Sequence, residues 1–165
     1  QLHNSKKEKP MGLFSFLKNA GAKIFKKKDE TKTADEIRAE RIEALGAAIG
    51  QLELQIQDLS LEVDVDADTV TVYGTTESQE EREKIILALG NVEGIATVDD
   101  RISVVTPAPE AKFYEVKSGD TLGKIAKEFY GNAMKYPVIF EANKPMLKDP
   151  NLIYPGQVLR IPPID

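Results

Sequence analysis

The chain has no cysteine and a single histidine, His3, among its 165 residues. Without a thiol there is no disulfide framework to support a small secreted fold, and no thiol chemistry is available. His3 lies in the first ten residues, QLHNSKKEKP, which end in a helix-breaking proline and read as a tail or cloning remnant. There is no Gly-x-Ser-x-Gly elbow and no phosphate-binding glycine loop. No stretch approaches the roughly 20 apolar residues needed to cross a bilayer. Carboxylates are plentiful, but no motif sets two of them across an apolar cleft as glycoside hydrolysis requires. A binding role is expected, and catalysis is not.

What is present is length and apolar content for one ordinary domain or two small ones, with 41% hydrophobic residues. Two halves of this size sit near the lower limit of independent stability. Charge is uneven. Residues 1–34 hold nine lysines against three acidic residues, a charge of +6, so the remainder carries −11 to give the net −5. A basic arm on an acidic body suits an anionic membrane or nucleic acid. The acidic body and the absence of an RNP-like aromatic motif argue against nucleic acid.

From Met11 the sequence runs MGLFSFLKNAGAKIFKKK. Leu13, Phe16, Leu17, Ala20 and Ile24 recur at helical spacing, which predicts an N-terminal helix. Its apolar positions do not form the continuous run of a secretory signal, and its positive charge follows them rather than preceding them. Phe16 stands where a myristoylation pattern needs Ser or Thr. The helix could dock its apolar stripe on the next domain or lie on a membrane surface. Stable membrane insertion is not expected, and a cytoplasmic location is.

Residues 35–105 predict helix, strand, strand, helix, strand. Ile37, Ile42, Leu45, Ala48 and Ile49 mark a first helix over 35–50, capped near Asp35. Leu61, Val63, Val65 and Ala67 alternate with Glu62, Asp64, Asp66 and Asp68 along one strand, and Val70 and Val72 continue on its partner after an Ala-Asp turn. Ser78 and Glu81 form a capping box for a second helix to Leu89, with Ile85, Ile86 and Leu89 inward. Gly90 to Ile95 ends that helix, and Val98 to Val105 is the third strand. The words VTVYGTTESQEEREKIILALGNVEGIATVDDRISVV resemble a BON domain. The proline-bearing TPAPEAK, residues 106–112, reads as a semi-stiff spacer.

The final third, FYEVKSGDTLGKIAKEFYGNAMKYPVIFEANKPMLKDPNLIYPGQVLRIP, resembles a LysM module, a βααβ unit. Leu122, Ile125, Ala126 and Phe129 on one helix, and Val138, Ile139 and Ala142 on the next, predict its core, with Tyr130, Tyr136 and Phe140 as packing residues. Pro137 fits a first helical turn. The resemblance implies a glycan groove between residues 118–122 and 149–154. Gly119, Asp120, Thr121 and Pro155-Gly156 are equally explained as turns and caps.

The fold class expected is therefore α+β, in two small domains. Residues 1–10 are a tail, 11–105 the N-terminal helix and BON domain, 106–112 a linker and 113–165 the LysM domain. An opening MGLFSF, then BON, then a LysM ending in ANKPMLKDPNLIYPGQVLRIP, is similar to the small cytoplasmic BON–LysM potassium-binding proteins of bacteria. That resemblance runs from Met11 to about Pro162. It implies a monomer that binds K⁺, becomes more ordered with it, and serves as a sensor or buffer under osmotic stress, with BON and LysM in intramolecular contact. The alternative is an envelope protein that holds peptidoglycan through N-acetylglucosamine. A third reading is an adaptor whose basic segment touches membrane.

Two places invite a cation. Asp64, Asp66 and Asp68 mimic the start of an EF-hand loop, but Thr69 replaces its glycine and Thr75 its bidentate Glu. Alternation puts that run on the solvated face of a strand. Selection of K⁺ over Na⁺ is usually the work of neutral carbonyls. Helix C-termini expose such carbonyls at the negative end of the dipole. Leu17–Gly21 and the Gly90–Ile95 turn are two such ends, and the resemblance at MGLFSF and GNVEGI supports them. The expected ligands are the carbonyls of Leu17, Ala20, Gly90, Val92 and Ile95. Ordinary helix caps would account for the same glycines.

Overall fold

A computed structural model describes residues 13–16 and 31–164. The fold is α+β, with a four-stranded sheet and a two-stranded one. Strand β1 (Leu13–Ser15) is followed by α1 (Ala34–Gly50), β2 (Gln57–Asp64), β3 (Thr69–Ser78), α2 (Gln79–Gly90) and β4 (Thr97–Thr106). The second part is β5 (Lys112–Glu115), α3 (Leu122–Tyr130), a 3-10 turn at Ala133–Lys135, α4 (Tyr136–Ala142) and β6 (Val158–Ile161).

The large sheet has the order β1-β4-β3-β2. β3 and β4 are parallel, so α2 is the crossover between them. β2 pairs antiparallel with β3, and β1 antiparallel with β4. Both helices begin with reciprocal capping boxes, Thr33 with Glu36 and Ser78 with Glu81. The cap of α1 is thus Thr33, two residues before Asp35. Val70, Val72 and Val98 of the sheet bury against Leu45 and Ile49 of α1 and Ile85, Ile86 and Leu89 of α2. Ile42 remains exposed on α1.

Two sequence expectations fail here, one through a confusion of periods and one through a turn that begins earlier than expected. Leu13–Ser15 is a strand and not part of a helix. Phe14 and Phe16, two apart, face inward while Leu13 is 52% exposed, which is strand alternation. The open edge of β4 supplies the hydrogen-bonding partner that selects it. The rest of the expected N-terminal helix, 11–12 and 17–30, lies outside the described residues. The second failure is the Asp run. β2 ends at Asp64, and residues 65–68 form a turn that reverses the alternation. Asp64 Oδ1 accepts from the Asp66 and Ala67 amides at 3.1 Å. Ala67 faces out, and Asp68, at φ 52°, turns in to meet Arg41 at 2.8 Å.

In the second part β5 and β6 pair antiparallel, and Leu122, Ile125, Ala126, Ile139, Leu159 and Ile161 pack a separate core. Phe129, Tyr130 and Phe140 pack against it. Tyr136 is exposed, and Val138 is half-buried along a cleft that Glu80, Lys84 and Arg160 also line.

Helix α2 is buried on nearly every side, Leu87 and Ala88 included, because the second part covers its outer face. Val158 of β6 joins the core of the large sheet, with Phe113 and Met146 packed on it. At the seam, Arg160 of β6 gives Glu83 of α2 two hydrogen bonds, at 2.6 and 3.0 Å. The other Glu83 oxygen accepts from Gln79 Nε2 and the Ala111 amide, so this buried carboxylate is fully engaged. Arg160 is held further by the Ala142 carbonyl, and its backbone by Asn143.

Candidate functional site

Of the five expected carbonyl donors, Gly90, Val92 and Ile95 lie together in the turn between α2 and β4. Leu17 and Ala20 lie outside the described residues. The turn follows from the sequence locally. Gly90 ends α2, Asn91 caps it at φ −88°, and Gly94 takes φ +90°, a left-handed conformation that L side chains resist. The Asn91 amide donates to Leu87 and that of Val92 to Leu89, while the Ile95 amide donates to the Val92 carbonyl at 3.2 Å. Each carbonyl has a second lone pair, so this last bond leaves Val92 able to accept again. No Lys or Arg occupies the last turn of α2, so the negative end of its dipole has no basic side chain from that turn.

The N-terminal segment is brought to the same place. Phe16 donates its amide to the Ala96 carbonyl at 2.7 Å. Its ring covers Gly90 so closely that a Cβ there would fall 2.0 Å from the ring's Cζ. Two residues earlier, the Phe14 ring packs against Phe113 of β5, with centroids 5.2 Å apart. The turn also touches β6, where Asn91 Nδ2 donates to the Val158 carbonyl at 3.3 Å. Three chain segments distant in sequence therefore meet around residues 90–96.

The turn also holds polar atoms that the fold leaves open. Asn91 Oδ1 and Glu93 Oε2 are buried and have no hydrogen-bond partner. Sequence reasoning concentrated on backbone carbonyls and missed both side chains. It also missed Phe16 as the residue that closes over Gly90. Oxygen atoms alone make up this set, which fits a hard cation and offers nothing to a soft one.

The Asp run does not make a competing site. Asp64 is spent on its own turn and Asp68 on Arg41. Among the described residues no group of three or more His, Asp or Glu side chains is placed to hold a metal.

In the second part the loop after β5 is organised around Asp120. It accepts from the Lys117 amide at 2.8 Å and from the Tyr114 hydroxyl at 2.6 Å. That hydrogen bond, with burial and the charge of Asp120, pushes Tyr114 up to about 12. For Asp120, burial acts upward, but Tyr114, the Lys117 amide and the Lys117 and Lys124 charges outweigh it and hold it below its ordinary value. Thr121 caps α3 through the Lys124 amide, and Lys124 Nζ reaches the Gly119 carbonyl. In the facing loop Asp149 accepts from the Asn151 amide, and Leu152 is exposed.

These features define a class, the two-module α+β proteins that join BON to LysM. The BON domain model matches residues 33–106 and the LysM domain model residues 114–162. The whole chain narrows this further. It is 46% identical over 157 residues to the potassium binding protein Kbp of Escherichia coli O6:H1, covering 92% of this chain and 99% of that protein. The chain belongs to that family. An uncharacterized protein of Deinococcus radiodurans is 36% identical over 102 residues, 54% of this chain and 39% of its own length. A Mycobacterium tuberculosis esterase is 45% identical over 53 residues, which are 32% of this chain and 11% of the esterase. Among the described residues no helix is long and apolar enough to cross a membrane.

Proposed function

We propose that this chain is a potassium-binding protein whose ion sits at the C-terminal end of α2. The observation that carries the reading is the match, along nearly the full length of both chains, to a protein named for potassium binding. The turn supports it independently, with buried unpartnered oxygens and no basic side chain in the last turn of α2 itself. The ligands are the carbonyls of Gly90, Val92 and Ile95, joined by those of Leu17 and Ala20, which follow Phe16 in the chain. Neutral carbonyls replace the hydration shell of K⁺ at a field strength too weak to strip Na⁺.

The division of labour is a binding module at 11–105, a short linker at 106–112 and a LysM module at 113–165. An ion bound by carbonyls from two segments ties them together, so K⁺ makes the protein more ordered and more stable by mass action. The protein acts as a monomeric cytoplasmic sensor or buffer of K⁺, without catalysis and without nucleic acid.

Calorimetric titration of K⁺-free protein with KCl, against NaCl at matched ionic strength, tests this. A saturable heat with K⁺ alone supports it. Equal or absent heats overturn it, and chitin or peptidoglycan fragments become the ligands to try. Asp66→Asn should leave the K⁺ heat unchanged, because Asp66 is exposed and remote from the turn in sequence. Loss of the heat in that variant would move the site to the β2–β3 hairpin.

A further inference from the structure

Glu93 sits between two of the proposed carbonyl donors, Val92 and Ile95, separated from the second by Gly94. Its Oε2 is buried without a hydrogen-bond partner. No ion pair involves it among the described residues, and the guanidinium of Arg41, which lies beside Gly94, is engaged with Asp68. A carboxylate oxygen taken out of water with neither partner nor counter-ion is costly, and native proteins rarely keep one without a reason. Asn91 Oδ1, two residues earlier, is a second buried acceptor without a donor. Two buried acceptors without a donor on one turn, and no orphaned donor among the described residues, describe a place suited to a cation.

From this we infer that Glu93 is an anionic part of the cation site, its carboxylate set against the bound ion and neutralised by it. The inference rests on the potassium reading and deepens it, because it turns a neutral carbonyl cage into one with net charge −1. Three consequences follow. The carboxylate adds affinity to a site that carbonyls alone would hold weakly. It raises the field strength, and so narrows the margin over smaller or more highly charged cations. It also leaves the ion-free protein with a buried carboxylate oxygen that has no partner, so the empty state is destabilised relative to the loaded one.

The last consequence separates a ligand from an ordinary structural residue, since removing the charge should have opposite effects in the two states. Glu93→Gln keeps the shape and abolishes the charge. Full-length wild type and Glu93→Gln would be compared by calorimetric titration with KCl and by thermal melting in K⁺-free choline buffer and in saturating KCl. Supporting results are at least a fivefold weaker K⁺ affinity together with a K⁺-free Tm equal to or above wild type. A loss smaller than fivefold, or a lower K⁺-free Tm, overturns the assignment while the wild-type heat leaves the potassium reading standing. Absence of any heat in wild type removes the potassium reading and the role of Glu93 with it. Glu93→Ala checks that the result follows charge, since it should match Gln in affinity within a few-fold. Barium chloride, a divalent ion of similar size, should compete with K⁺ more strongly in wild type than in Glu93→Gln.

Discussion

Helix α2 and the turn that follows it carry two carboxylates in opposite conditions, Glu83 buried and Glu93 half-buried with one oxygen shut off from water. Glu83, on the helix, spends both oxygens on Arg160, Gln79 and the Ala111 amide. Glu93, just past its end, keeps one oxygen with no partner at all. The first is a closed account of charge, and its business is to fix the seam between the two parts. The second is open, and a buried oxygen without a partner is what a ligand requires. The same contrast separates polar residues that a fold needs from those that it tolerates for a purpose.

Breaking the closed carboxylate should have the largest effect. Glu83→Ala leaves buried Arg160 with only Glu80, at 3.9 Å, as an ionic partner, and removal of one partner from such a pair costs about 3–5 kcal/mol. Urea denaturation would read this as a shift in midpoint, and Arg160→Ala should cost a similar amount. The double replacement Glu83→Met with Arg160→Met should recover most of the loss, because well-packed apolar groups replace buried ion pairs at little cost. A single-mutant loss under about 1 kcal/mol would class the pair with exposed ion pairs and void the contrast.

Gly90 tests the open region next. A methyl group at this position collides with the Phe16 ring, so Gly90→Ala must displace a side chain that is only 8% exposed. Re-exposing most of a phenylalanine costs about 1.5–3 kcal/mol. If the N-terminal segment supplies ion ligands, the same variant loses its K⁺ heat. Retained K⁺ affinity with the ring displaced would confine the ligands to the 90–95 turn.

Much of this was legible from residues alone, and the exceptions have physical causes. Capping boxes, the apolar face of α2 and the glycines of the 90–95 turn are local signals, so Ser78, Glu81, Ile85 and Gly90 were found from spacing. The first strand was misread because Leu13, Phe14 and Phe16 fit either period, and only the edge of β4 decides between them. Asp68 was placed in solvent because the turn expected at Ala67–Asp68 spans four residues, 65–68, and reverses the alternation before Asp68. Burial of Leu87 and Ala88, and the pairing of Glu83 with Arg160 across 77 residues, depend on how the two parts dock. The roles of Asn91 and Glu93 were hidden for another reason. A missing hydrogen-bond partner is a property of the folded surroundings, and it leaves no mark on the sequence.

A third carboxylate, Asp120, sharpens the comparison with the smallest effect. It is closed like Glu83, by Tyr114 and the Lys117 amide, but only half-buried. Its pKa is held below the ordinary carboxylate value, so its stabilisation is present above about pH 4 and fades as pH falls through the lower folded value. Tyr114 mirrors it at the alkaline end. Its folded pKa is raised, so its contribution is complete below the ordinary value of about 10 and is lost as pH rises through about 12. Absorbance at the tyrosinate band should show one tyrosine ionising near 12 in wild type and nearer its ordinary value in Asp120→Asn. That variant should cost about 0.5–1.5 kcal/mol, the net worth of an ordinary hydrogen bond, with K⁺ binding unaltered. A loss as large as that of Glu83→Ala would mean that closure rather than burial sets the cost. The contrast between Glu83 and Glu93 would then rest on their partners alone.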